Sequence, residues 1–289
     1  MPVAGLKIIG ESINDSVPST KKLYEANDLE GLKALAKLQD EKGASFIDVN
    51  VGQRSPEFMA EMVRMVQSVT SKPLSIDTPD PVIAEAGLRA YDPKRAGGAM
   101  PILNSISALR MNMLDLYKIQ PFMPIVIISE RVENGVSRPN RTAQDVYETG
   151  KQMLDLLKNG PYRIQDHQCI FDPGIAPIGS DTEGYTRNLI ESLRLMKNDP
   201  AFARCHRSVG LSNFTVMLPS KRPDGSPVKG PLESAFLTRA MPLGLDMIIG
   251  SVSRNYQILA DDHPAMKCFD DVVKLEGYDR IMRVQEFYA

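Results

Sequence analysis

Short apolar runs rich in β-branched residues alternate along this chain with longer stretches in which apolar positions return every three or four residues. The first pattern predicts strands covered on both faces, and the second predicts amphipathic helices. Leu6–Gly10 (LKIIG) reads as a strand, followed by a polar loop from Glu11 to Lys22. Asp28 caps a helix running to about Lys42, where Gly43 ends it. Ser45–Val51 (SFIDVNV) is the second strand. Its helix opens at Ser55-Pro56 and carries Phe58, Met59, Met62, Val63, Val66 and Val69 at helical spacing. Lys72–Thr78 pairs in the same way with Pro81–Tyr91, Pro101–Ser105 with Ser107–Lys118, and Pro124–Ser129 with Thr142–Lys158. Cys169–Asp172 precedes a helix around Thr182–Lys197, and Ser208–Asn213 precedes one from about Leu232. Leu245–Ser251 leads into a helical tail.

Strand-then-helix alternation calls for parallel strands, and eight such units predict a (β/α)8 TIM barrel, read as one domain over residues 1–289. A doubly wound open sheet is the alternative, but no glycine-rich phosphate loop supports it. Apolar residues make up 43% of the chain and charged residues 24%, as in a soluble globular protein. A net charge of −2 with no basic run argues against nucleic acid or an anionic membrane as partner. Cys169, Cys205 and Cys268 are far apart and form no CxxC pair, which predicts reduced thiols and no zinc site. The first twenty residues lack a basic-then-apolar signal pattern, and no apolar run approaches bilayer length, so a cytoplasmic location is expected.

The strand ends carry the candidate chemistry. The third strand finishes as Ser75-Ile76-Asp77-Thr78-Pro79, where proline forbids further pairing and leaves Asp77 where strand meets loop. Glu11 follows the first strand, Asp48 and Asn50 lie in the second, and Asn104 ends the fourth. Glu130, Asp172 and Asn213 end the fifth, sixth and seventh. One such residue is a turn former, but in a barrel all of them gather at the C-terminal mouth, where active sites of this fold lie. The set is rich in carboxylates and amides and offers no obvious nucleophile. A carboxylate accepts two parallel hydrogen bonds from a ring N–H beside an amino group, and carboxamides read neighbouring ring nitrogens and a carbonyl. A pterin has that edge. A divalent metal is the competing occupant, although no loop places acids at ligand spacing.

Gly10-Glu11-Ser12-Ile13-Asn14, Ile47-Asp48-Val49-Asn50-Val51-Gly52, Ser75-Ile76-Asp77-Thr78, Ile102-Leu103-Asn104-Ser105, Phe171-Asp172-Pro173 and Gly210-Leu211-Ser212-Asn213 follow in order. Over about residues 6–255 the series resembles the pterin-binding methyltransferases that move a methyl group between tetrahydrofolate and a corrinoid protein. The resemblance implies a pterin-binding TIM barrel, usually a homodimer, with no bound metal and the cobamide carried by a partner. It implies that Asp77, Asn104 and Asp172 hold the pterin, with Asp48 in support; Glu11 and Asn50, as members of the same set of strand ends, are expected in the same pocket. Asn213 would sit against N5, where an amide donates in one protonation state and accepts in the other. Departures exist: Ser12 stands where the family commonly has arginine, and the Leu218–Pro231 loop differs. Dihydropteroate synthase is the alternative, since it shares the Asp172-Pro173-Gly174 pattern. Two histidine segments are set aside as surface features. Asp261–Met266 resembles a corrinoid-binding DxHxxG but has Met266 for the glycine, and His167 precedes a strand.

Overall fold

A computed structural model of the chain describes residues 3–289. The first half contains β1 (Lys7–Asn14), α1 (Pro18–Glu25), α2 (Leu29–Glu41), β2 (Phe46–Asn50), α3 (Pro56–Gln67), β3 (Leu74–Asp77), α4 (Pro81–Ala90), β4 (Ile102–Ile106) and β5 (Met123–Ile127). The second half contains β6 (Glu130–Glu133), β7 (Val136–Pro139), α5 (Ala143–Asn159), β8 (Ile170–Asp172), α6 (Tyr185–Asn198), β9 (His206–Arg207), α7 (Lys229–Ala240), β10 (Met247–Gly250), α8 (Pro264–Lys274) and α9 (Gly277–Tyr288). Eight strands pair in parallel in the order β10-β1-β2-β3-β4-β5-β8-β9. The sheet closes on itself through a parallel bridge between Gly210 and Ile249, where the Ile249 N–H donates to the Val209 carbonyl at 2.9 Å. The expected (β/α)8 barrel is the observed one, with its seam between β9 and β10.

Period-two alternation sorts each strand into an outward set under the helices and an inward set along the axis. Ile9, Ile102, Ile125, Ile170 and Met247 form their own buried cluster, with Phe46, Met123 and Ile249 packed against it. This apolar plug closes the lower barrel. Two residues further along the same inward rows come Asp48 above Phe46, Asn104 above Ile102, Asp172 above Ile170 and Glu11 above Ile9. The inward side therefore changes from hydrocarbon to carboxylate and amide within one repeat of the pleat. Outward residues such as Ile47, Val49, Ile76, Leu103 and Val126 join the large cluster beneath the helices. Burying each such side chain is worth roughly 1.5–3 kcal/mol.

Helix starts follow their caps. Asp28 accepts from the Gly31 N–H at 2.8 Å, and Ser55 and Asp80 each precede a proline at the first helical position. Thr142 and Asp145 complete a capping box on α5. Gly10 has a packing reason. A Cβ there would lie 2.5 Å from Gln39 Oε1, the oxygen that accepts the Ser12 N–H at 3.0 Å. That N–H is released because the β1–β2 register shifts between Gly10 and Ile13.

Four segments differ from the sequence expectation. The presumed loop after the first strand is a strand as far as Asn14 and then α1. The fourth helix is 3₁₀ turns over Met111–Lys118, preceded by a half-buried Arg110. A hairpin, β6–β7, stands between β5 and α5, turning at Asn134-Gly135 with φ of 52° and 77°. Most relevant to the site, Ser208–Asn213 is not a strand: β9 stops at Arg207, and Leu211–Thr215 is a 3₁₀ turn.

The three cysteines are free and buried. His167 is exposed beside Arg204, and His263 caps α8 by accepting the Ala265 N–H at 3.1 Å. Among the described residues no helix is long and apolar enough to cross a membrane.

Candidate active site at the barrel mouth

Asp77 and Asn104 are register partners on β3 and β4, so their side chains stand about 4.8 Å apart along the sheet and point to the same side. Asp172 pairs with Ile127 on β5 and lies two strands beyond Asn104. Asp48, one layer lower, pairs with Ser75. The structure thus brings Asp48, Asn50, Asp77, Asn104 and Asp172 onto one continuous inward arc. The peptide after Asn104 is cis, and the ladder to β5 skips from Asn104 to Ile106 there.

Asn50 is committed within the protein. Its Nδ2 donates to Asp77 Oδ2 at 2.9 Å, and its Oδ1 accepts the Gly52 N–H at 2.8 Å. These bonds fix which way its amide faces, and they leave Asn50 orienting Asp77 more than meeting a ligand. Around it, Tyr24 donates to the Asn50 carbonyl at 3.2 Å, and Arg54 pairs with Asp15 at 2.6 Å while lying over the Tyr24 ring. The rim beside β2 is rigidly built.

Asp48 is fully buried, and neither carboxylate oxygen meets a donor in hydrogen-bonding geometry among the described residues. Burial first, and the charge of Asp77 second, hold its carboxyl well above the ordinary range. A buried carboxylate without donors is costly, which favours the protonated form of Asp48, and that form can donate a hydrogen bond to Asp77. Burial also raises Asp77, against which Asn50, Asp48 and the Arg110 cation act to lower it. Arg110, on the loop after β4, donates to Ser105 Oγ at 3.0 Å. It supplies the positive charge that the sequence reading did not assign to the mouth. A lone arginine just past a barrel strand was the available signal.

Asp172 accepts the Gly174 N–H at 2.7 Å in a tight turn where Gly174 has a φ of 80°. Burial pushes its carboxyl up to about 6, and that single backbone donor only partly opposes the rise. Its spare acceptor capacity faces the mouth. Glu11 accepts from Ser212 Oγ at 2.9 Å, and burial raises its carboxyl. It therefore braces the 3₁₀ turn after β9. Asn213 lies on that turn and is exposed, with its Nδ2 packed close to Gly210. Glu130 does not join the inward arc. It opens the hairpin, accepts from Ser137 Oγ at 2.7 Å, and lines a cavity of about 360 Å³ with Asn140, Pro173, Ile175 and Tyr185. Among the described residues no group of three or more His, Cys, Asp or Glu is arranged to hold a metal ion.

Comparison with known proteins bears on the family and the fold. A methylcorrinoid:tetrahydrofolate methyltransferase of Eubacterium limosum is 28% identical over 258 residues, covering 84% of this chain and 83% of that protein. The fold matches a dihydropteroate synthase of Vibrio fischeri with a TM-score of 0.58 and 16% identity, covering 97% of this chain and 92% of that one. It also matches the Xanthomonas albilineans dihydropteroate synthase solved with 4-aminobenzoic acid, with a TM-score of 0.57 and 17% identity, covering 84% and 86%. At such identity these likenesses speak to the fold alone. The profile of the pterin-binding enzymes matches residues 13–250, from the end of β1 to the end of β10, and the chain belongs to that family.

Proposed function

We propose that the chain is a methyltransferase that binds tetrahydrofolate at the barrel mouth and exchanges a methyl group between N5 and the corrinoid of a separate partner protein. The observation that carries this reading is the arc Asp77–Asn104–Asp172, inward-facing, with acceptors left over once Asn50 and Gly174 have donated. Asp77 and Asp172 accept from the ring N–H and amino groups of the pterin, and Asn104 reads the adjacent nitrogen and carbonyl. Asp48 and Asn50 favour the ionised form of Asp77 and aim it from two sides. Glu11 contributes from beneath, by holding the Ser212–Asn213 turn.

Asn213 is the candidate catalytic group. N5 must carry a proton to leave the methyl group and a lone pair to receive one. A carboxamide can face both forms by accepting or donating, whereas an ionised aspartate only accepts. The corrinoid supplies the group that takes up or gives the methyl, so no side chain needs to act as a nucleophile. What this chain contributes is the alignment of N5. We further propose that it works in the cytoplasm as a homodimer, without a metal of its own. The Eubacterium relative, which is named for this reaction, favours it over a dihydropteroate synthase.

Titration calorimetry with methyltetrahydrofolate, together with turnover using free reduced cobalamin, tests the reading. Binding and turnover are expected. Formation of dihydropteroate from a dihydropterin pyrophosphate and 4-aminobenzoate, without methyl transfer, would instead establish the synthase alternative.

A further inference from the structure

Asn213 stands on a short 3₁₀ turn, outside any strand ladder, so something else must hold it against the ligand. Two hydroxyls of that turn are tied to carboxylates. Ser212 is tied to Glu11, as described above. On the far side, Thr215 Oγ1 donates at 2.5 Å to Glu233 Oε1 on α7. Glu233 is 1% exposed and sits in a helix face otherwise filled by Leu232, Ala235 and Phe236, where an apolar side chain would pack without any desolvation cost. Its second oxygen lies 3.0 Å from Arg254 Nε, but the two are not aligned as a hydrogen bond. Among the described residues, the Thr215 hydroxyl is thus the one directed bond this buried carboxylate makes.

We propose that Glu233 is a positioning residue for the methyl transfer, holding the Asn213-bearing turn in place through the Thr215 hydroxyl, with Arg254 as its counter-ion. This rests on the methyltransferase reading. Burial raises the Glu233 carboxyl, while Thr215 and Arg254 pull it down. The bond ties the turn to α7, which packs against α8 and the turn after α7, so Asn213 is referenced to the outer helical layer as well as to the barrel wall.

Thr215→Val is nearly isosteric, replaces the hydroxyl with a methyl group and leaves Glu233 Oε1 without its donor. It is expected to slow single-turnover methyl transfer to free cobalamin roughly tenfold, within the hundredfold that a small misplacement can cost. The dissociation constant for methyltetrahydrofolate should stay within about twofold, because the pterin arc is untouched. Thr215→Ser restores the hydroxyl and should recover the rate, and Glu233→Gln, which keeps an acceptor, should lie between. Amide hydrogen exchange over residues 211–217 should quicken in Thr215→Val and return in Thr215→Ser. A Thr215→Val enzyme with wild-type rate and exchange overturns the inference, as do Val and Ser variants that are equally slow. A wild-type chain that neither binds nor turns over methyltetrahydrofolate overturns the functional reading, and the inference with it. Its exchange pattern keeps that failure distinct from failure of the tether.

Discussion

On the arc from β2 to β4, the mouth is lined by Asp48, Asn50, Asp77 and Asn104, each rooted in a strand paired on both sides, with β2–β3 and β3–β4 in unbroken register. On the arc from β9 to β1 the lining is a turn. β9 has two ladder residues, one bridge joins its continuation to β10, and Ser212 and Thr215, on either side of Asn213, are held by side-chain bonds to Glu11 and Glu233. The first arc suits recognition, since its donors and acceptors are spaced by the sheet itself. The second suits a group that must follow a change of protonation, because a turn can shift by a fraction of an ångström without breaking a ladder. Binding and chemistry would then be separable by mutation.

The sharpest test of that division is Asn213→Ala, expected to lower the single-turnover rate by roughly ten- to a thousandfold, with the melting temperature and methyltetrahydrofolate affinity nearly unchanged. Asn213→Asp should fail in the same assay near neutral pH, because an ionised carboxylate cannot donate to N5. Loss of affinity in proportion to rate would erase the distinction between the arcs.

On the recognition arc, Asp77→Ala, Asn104→Ala and Asp172→Ala should each weaken methyltetrahydrofolate by roughly tenfold to more than a hundredfold. That matches the 1.5–3 kcal/mol typical of a hydrogen bond to a charged group. Calorimetry on folded protein checks this, and unchanged affinity in all three would remove the pterin from this site.

A smaller effect follows from Asp172. Its folded carboxyl titrates at about 6, against about 3.9 unfolded, so the folded chain holds the extra proton between those values. The cost of keeping it ionised is fully present above pH 6 and gone below about 4. Asp172→Asn should therefore stabilise the ligand-free protein at pH 8 by about 1–3 kcal/mol and much less at pH 4, as read by thermal melting. Ligand affinity in the wild type should fall about tenfold between pH 8 and pH 5, as the carboxylate is lost. A flat profile would mean that Asp172 does not act as an ionised acceptor.

The smallest expected change is at Arg110. Arg110→Met removes a cation that helps keep Asp77 ionised, and should weaken binding only a few-fold, more at pH 5 than at pH 8. Equal weakening at both pH values would assign Arg110 to the Ser105 contact alone.

The recognition arc was legible in the sequence because a strand's alternation fixes side-chain direction. Once SFIDVN and LSID are strands, Asp48, Asn50 and Asp77 must share the inner face. The other arc was not, for a physical reason. SVGLSN is apolar enough to read as a strand, yet Gly210 begins a 3₁₀ turn there, and the tertiary bonds to Glu11 and Glu233 that stabilise it join residues far apart in sequence. Glu233 itself hid on a helix face that looked purely structural. The β6–β7 hairpin did leave a signal, Asn134-Gly135 between Val132 and Val136, of the kind that specifies a tight two-residue turn. Asn50 was assigned to the pocket by residue type, whereas its bonds to Asp77 and Gly52 require the folded geometry.

The seam between β9 and β10 also fixes where this barrel has an end. Below the bridge, one carboxylate fastens it: Asp246 lies 2.6 Å from His206 Nδ1 and accepts the Arg207 N–H at 3.1 Å. On its other side β10 is paired along its whole length with β1. If the cylinder unzips, it does so here, and β10 leaves with the first half of the chain. The amide of Ile249 should then exchange with solvent ahead of those in β2 and β3. A circular permutant begun in the 251–263 connection would sever β10 from nothing it pairs with.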